Sequence, residues 1–196
     1  MKQERWSSRI QSHFEKECMG FLPKDYQEPE TGNSRYWKLE DGDTKKIRIL
    51  GSFEDGSAIM GWQGWTKDME GKGEPVRGTE DQKGTVQDGS DDKVKWFWAL
   101  PIFDYQTDTL KIWVISQKTI RDRISALAAD EDFGNPNHYD LKINRTGGGM
   151  DTEYFVNPLP PSDLSKEVQE AIDTELIHLK MKELFTGGDP FDGIPF

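Results

Sequence analysis

The sequence predicts a mainly β fold: a small Greek-key barrel with one inserted helix, a C-terminal helix and a flexible acidic tail. Three observations carry that expectation. Through the middle of the chain, apolar residues recur at every second position in short stretches separated by Gly- or Asp-containing turns. One stretch, Gln117 to Ala129, switches to helical period before the alternation resumes. From residue 161 onward the alternation stops, and the chain runs through a capped helical stripe into a segment rich in Gly and Asp.

The elements follow in order. Residues 1–34 read as a short helix around Trp6 to Phe14 and an irregular lead-in, and Tyr36-Trp37-Lys38-Leu39 is an extended piece before the Asp41-Gly42-Asp43 turn. From Lys45 to Phe53, Ile47 and Ile49 share one face while Lys46 and Arg48 share the other. Asp55-Gly56 turns the chain into a second strand, Ser57 to Thr66, to form a hairpin. Residues 67–92 are poor in apolar residues and read as a long mobile acidic loop.

Lys93 to Phe103 is the strongest strand. Val94, Trp96, Trp98, Leu100 and Ile102 alternate there with Lys93, Lys95, Phe97 and Ala99. After the turn at Asp104 to Asp108 comes Thr109 to Ile115, where Leu110, Ile112 and Val114 are assigned inward, opposite Lys111 and Trp113. The helix that follows has Ile120, Ile124 and Leu127 on one stripe. Tyr139 to Arg145 is another strand, Gly147-Gly148-Gly149 turns into Asp151 to Val156, and Pro158, Pro160 and Pro161 stop the sheet. Ser162 or Ser165 caps a last helix (161–186) running to about Phe185, and Gly187-Gly188 frees the tail, 187–196. Strands, one helix and a closing hairpin are the order of an OB-fold, here spanning 35–160. A sandwich needs more strands, and a parallel α/β fold needs strands alternating with helices.

Apolar content of 34% is low beside a charged content of 31%, yet the chain holds seven Trp, ten Phe and five Tyr. Either those rings fill a small barrel core, or some of them lie exposed on a binding face. The net charge of −11 is unevenly spread: residues 68–92 and 161–196 each carry three Lys/Arg against eight Asp/Glu, and the remainder is almost neutral. An acidic total therefore leaves room for a nucleic-acid ligand, provided cations gather on one face. Cys18 is the only cysteine, and His13, His138 and His178 are scattered, so neither a disulfide framework nor a zinc site is expected. With no signal-peptide core after Met-Lys-Gln-Glu-Arg and no membrane-length apolar run, a soluble, cytoplasmic protein is expected.

The candidate binding face is the outer side of the sheet. Alternation places Lys46 and Arg48 on one strand, Lys95 and Phe97 on the next, Lys111 and Trp113 beside them, and Lys142 and Asn144 on the fourth. Trp62 and Trp65, set among Gly61, Gln63 and Gly64, add a second pair of rings. Cations that follow phosphates and flat rings that stack bases are what a single strand requires. Trp96 and Trp98 are assigned to packing because they share a face with Val94, Leu100 and Ile102. Enzymatic readings find little support. Gly147-Gly148-Gly149 opens a hairpin rather than a helix, no nucleophile elbow is present, and Asp104, Asp108, Asp130 to Asp132 and Asp151 sit in turns where Asp is common. No enzyme activity, cofactor or metal is expected.

The stretches Tyr36-Trp37-Lys38-Leu39, Lys95-Trp96-Phe97-Trp98-Ala99-Leu100-Pro101, Leu110 through Ile120, Tyr139-Asp140-Leu141-Lys142-Ile143 and Gly149-Met150-Asp151-Thr152-Glu153-Tyr154 resemble the OB-fold single-stranded DNA-binding proteins of tailed bacteriophages. The resemblance covers most of Arg35 to Ser165. It implies non-sequence-specific binding of single-stranded DNA in phage replication, recombination and repair, in the host cytoplasm. Some phage relatives carry a zinc module whose ligands this chain lacks. The ending Asp192-Gly193-Ile194-Pro195-Phe196 is separately similar to the acidic Ile-Pro-Phe terminus of bacterial single-stranded DNA-binding proteins. That similarity implies recruitment of replication or recombination enzymes through Phe191, Asp192, Ile194, Pro195 and Phe196. The alternative is an OB-fold interaction adaptor that binds protein and not DNA.

Overall fold

In the computed structural model, residues 35–67 and 69–194 are described. Seven strands form one antiparallel sheet: β1 (Thr44–Ile49), β2 (Ile59–Lys67), β3 (Gly73–Gly78), β4 (Lys95–Asp104), β5 (Thr109–Ile115), β6 (Asp140–Thr146) and β7 (Glu153–Pro158). Among the described residues four α-helices accompany it: α1 (Lys83–Asp88), α2 (Lys118–Ala128), α3 (Lys166–Leu176) and α4 (Glu183–Thr186). The path of hydrogen-bonded neighbours is β3-β2-β4-β1-β6-β7, with β5 on the other edge of β4.

The ten residues of β4 organise the sheet. Their first half pairs with β2, from Ile59 opposite Ala99 to Gln63 opposite Lys95. Their second half pairs with β1, from Ile47 opposite Asp104 to Ile49 opposite Ile102. The chain passes from β1 to β2 at Gly51, where a Cβ would stand 2.6 Å from Pro101 Cγ, so only glycine lets the corner cross β4 so closely. As a result β2 and β3 form an arm that runs on past the end of β1.

The sheet is open, and this corrects the barrel expectation. β5 and β7 do not pair with each other among the described residues. The second edge of β5 is taken instead by the Arg35–Trp37 stretch: Ile112 N–H donates to Arg35 O and Trp37 N–H donates to Ile112 O, both at 2.8 Å. Helix α2 packs beside β7, with Arg123 Nε donating to Val156 O at 3.4 Å. A backbone edge already satisfied by a neighbouring segment has nothing left with which to close a barrel.

Two apolar clusters lie on opposite faces of β4–β5. The first joins Ile47, Ile49, Leu100, Ile102, Trp113 and Ile115 to Ile120, Ile124 and Leu127 of α2. The second joins Phe97, Ala99, Leu110 and Ile112 to Met181, Leu184, Phe191 and Ile194 of the C-terminal segment. Both faces of β5 are therefore covered, and the inward assignment made from its alternation is half of the picture. Register sets Trp113 opposite Leu100 and Lys111 opposite Ile102, on the α2 side, while Leu110, Ile112 and Val114 face the C-terminal segment.

Residues 67–92, read as a mobile loop, hold β3, a 3₁₀ turn (Glu80–Gln82) and α1. The arm is held by Val86, which is buried, and by the close pairing of glycines: a Cβ on Gly61 would meet Gly78 O at 2.2 Å. So few apolar residues suffice there because the backbone pairing supplies most of the contact. The single helix expected to reach Phe185 ends at Leu176. Ser165 caps its start, its Oγ accepting from Val168 N–H at 3.3 Å, and a turn then leads to α4. Gly187, in the left-handed conformation at φ +78°, ends α4. The segment expected to be a free tail then returns to the body. Lys180 N–H donates to Pro190 O at 2.8 Å, Arg35 donates to the carbonyls of Phe191 and Ile194, and the Arg35 guanidinium lies 4.7 Å from the Phe191 ring centroid. Pro195, Phe196 and the helix expected around Trp6 lie outside the described residues.

Candidate nucleic-acid interface

Strand alternation and register bring a row of aromatic rings to the N-terminal half of β4, where it pairs with β2. Trp96 and Trp98 lie two residues apart on one face, Trp62 of β2 stands opposite Trp96, and Met60 stands opposite Trp98. The Trp62 and Trp96 rings meet edge to face at 5.0 Å, and Trp98 meets Phe53 at 5.1 Å. All four rings are half-buried, and Met60 is exposed. Trp62 is fixed in place: its Nε1–H donates to Glu80 O at 3.0 Å, and Lys83 Nζ sits 4.4 Å from its ring centroid. At the Phe53 end the row borders a cavity of about 470 Å³ between β4, the β1–β2 corner and α2.

A second cleft, of about 290 Å³, lies at the same end of β4 and is lined by Gln63, Trp65, Asp92, Lys93, Lys95 and Ser116. Trp65 is 44% exposed there. Its backbone N–H donates to Ser90 Oγ at 2.9 Å, and Asp91 N–H donates to Trp65 O at 2.8 Å, so the ring is held on an ordered strand.

The cations named from the sequence divide into two groups. Arg48, Lys46 and Lys111 are committed to carboxylates: Arg48 Nε to Asp140 Oδ1 at 2.6 Å, Lys46 Nζ to Asp140 Oδ2 at 2.7 Å, and Lys111 Nζ to Asp104 Oδ2 at 2.9 Å. Arg48 is also buried, and its Nη2 donates to Ser162 O at 2.9 Å. Lys46 in addition lies 3.9 Å from the Tyr105 ring centroid, and the Tyr105 hydroxyl donates to Asp140 Oδ1 at 2.8 Å. Burial alone would raise the Asp140 carboxyl, but hydrogen bonds from Lys46, Tyr105 and Arg48 outweigh it and hold the group below its ordinary value. Burial, followed by the bond to Asp140, pushes the Tyr105 phenol up. These groups form an internal polar network that ties β1 to β6 and to the segment after β7.

Lys95 is exposed in the Trp65 cleft. Lys142 is exposed on β6, opposite Lys46 and away from the aromatic row, and beside it Asn144 Nδ2 donates to Thr44 Oγ1 at 2.6 Å. Phe97 and Trp113 are buried in the two clusters and cannot stack a base in this conformation. Phe191 and Ile194 are likewise buried, while Asp192 is exposed and pairs with Lys180 at 3.1 Å. From the sequence-named set the row holds Trp62, joined by Phe53, Lys83, Trp96 and Trp98, whereas Trp65 and Lys95 point to the opposite face of the sheet and meet Lys93 in the second cleft. Alternation had put Trp96 and Trp98 on the core face, which is correct. It carried no sign that this face emerges from the core at the end of β4, because that depends on β1 stopping short of it.

Among the described residues no group of three His, Cys, Asp or Glu side chains is placed to hold a metal ion, and no helix is long and apolar enough to cross a membrane. No family model matches the chain, and neither a curated protein nor a solved structure is significantly similar to it. With the open sheet, this overturns the resemblance to phage OB-fold proteins: neither their barrel nor a sequence relationship to them is found.

Proposed function

We propose that this protein binds single-stranded DNA without sequence preference, through the rings on the N-terminal half of β4. The observation that carries the reading is the row Trp62–Trp96–Trp98–Phe53, two pairs of half-buried rings in contact, set two residues apart along β4 on an ordered sheet. Two residues along a strand advance about 7 Å, close to the rise of two stacked bases at about 3.4 Å each. Trp96 and Trp98 therefore suit every second base of a stacked strand. Rings fixed before binding lose little conformational entropy when a base stacks on them. Lys83 at one end of the row supplies a cation for the phosphates, and Lys93 and Lys95 supply two more where the strand passes round the end of β4 into the cleft on the other face.

The test is a titration of the full chain with oligo-dT, read by tryptophan fluorescence. Quenching with saturable binding is expected, together with about a tenfold weaker affinity in Trp96→Ala, since one stacked base contributes about 1–3 kcal/mol. Equal binding to duplex DNA, or no quenching at any oligonucleotide concentration, would overturn the proposal.

A further inference from the structure

The aromatic row leads into the cavity of about 470 Å³, whose size lies within the roughly 300–1,000 Å³ typical of small-molecule sites. Its floor is aliphatic, from Ile49, Leu100 and Ile124, and the rings of Trp98 and Phe53 form one wall. The opposite rim is polar, with Ser125 on α2 and the Asn135–Asn137 turn. That rim is built rather than loose. Asn135 Oδ1 accepts from Asn137 N–H at 3.0 Å, and Asn137 O accepts from the Nη1 of buried Arg48 at 3.2 Å. Arg48 is thereby a brace for the cavity. The Asn137 side chain presents both a donor and an acceptor.

We propose that this cavity is a subsite for one unstacked nucleobase. An aromatic wall whose Phe53 and Trp98 rings are tilted 59° to one another offers a ring face for the π-face of a base, above an aliphatic floor, and the rim of amide and hydroxyl groups matches its hydrogen-bonding edge. The charge near the mouth has the opposite bias. Exposed Glu54 and Asp55 follow Phe53 in the chain, and exposed Asp130 follows Ala129, so a phosphate is repelled where an uncharged base is not. The base enters while its phosphates stay on the side of Lys83, at the other end of the row. This inference rests on the single-stranded DNA reading, and its test separates the two.

The probe is deoxyadenosine, titrated into the ¹⁵N-labelled full chain. Shifts of the Trp98 indole N–H and the Asn137 side-chain amide are expected, with smaller shifts for deoxyadenosine 5′-monophosphate. Ala128→Leu and Ser125→Leu each fill the mouth from an exposed position of α2, so the fold is retained and the nucleoside shifts are lost. The same variants weaken oligo-dT binding about tenfold. Trp62→Ala, at the far end of the row, weakens oligo-dT binding and leaves the nucleoside shifts intact. The subsite is overturned if neither resonance moves, if the shifts persist in both leucine variants, or if the monophosphate binds as well as the nucleoside. Oligo-dT binding without nucleoside shifts removes the subsite and leaves the DNA reading standing. Nucleoside shifts without oligo-dT binding do the reverse.

Discussion

Asp140 shows how one side chain serves both stability and the placement of a site. It receives Arg48, Lys46 and the Tyr105 hydroxyl, and Arg48 in turn braces Asn137. Removing one partner of a buried ion pair leaves the other charge uncompensated, at a cost of about 3–5 kcal/mol. Asp140→Asn is therefore expected to lower unfolding free energy by about that amount in urea titrations. The pH dependence has a definite sign. The folded carboxyl is lowered, so its contribution is fully present above the unfolded value of about 3.9 and is lost as pH falls through the folded value. The urea midpoint should stay level from neutral pH to about pH 5 and fall below about pH 4. Part of that acid loss should be missing in Asp140→Asn. A midpoint that rises on acidification would contradict the assignment.

The C-terminal segment behaves as a packing element. Phe191 is 3% exposed and shares a cluster with Phe97, Ile112 and Leu184. Phe191→Ala should cost about 3–5 kcal/mol, the range for a truncated core phenylalanine, whereas a free tail would show no change. Differential scanning calorimetry distinguishes the two. The β2–β3 arm has its own weak point. Gly61→Val places a side chain against Gly78 O and should open the β2–β3 ladder. Hydrogen exchange should then speed up at β3 and α1 while β1 and β6 keep their protection. The aromatic row should lose oligo-dT binding in the same variant, because Trp62 leaves its place beside Trp96.

At the scale of the molecule, charge separates fold from ligand. The net charge is −11, and three of the cations first assigned to DNA are held by carboxylates. A phosphate contribution limited to Lys83, Lys93 and Lys95 gives a shallow salt response, with a slope of about −2 in log affinity against log salt, at about −0.7 for each phosphate neutralised. Oligo-dT affinity measured at several salt concentrations checks this. A slope twice as steep, at about −4, would mean that Lys46, Lys111 and Arg48 leave their carboxylates to bind DNA.

Six of the seven strands, the α2 stripe and the Ser165 cap were legible from local pattern, because side-chain period and capping chemistry are properties of a few consecutive residues, whereas β3 carries too few apolar residues to show a period. Trp62 and Trp65 stood out among glycines for the same reason. Which face of β5 points inward was not legible, because both of its faces are covered and alternation between two apolar sets has no preferred phase. Barrel closure was not legible either. Whether β5 meets β7 depends on where Arg35–Trp37 lies, and that contact joins residues more than seventy positions apart in the chain. The fate of Arg48 is the same lesson in one residue. Local sequence marks it as a strand cation on the polar face, and only the arrival of Asp140 from β6 turns it from a phosphate ligand into a buried brace. Periodicity reports what each segment needs to bury, and long-range contact settles against what.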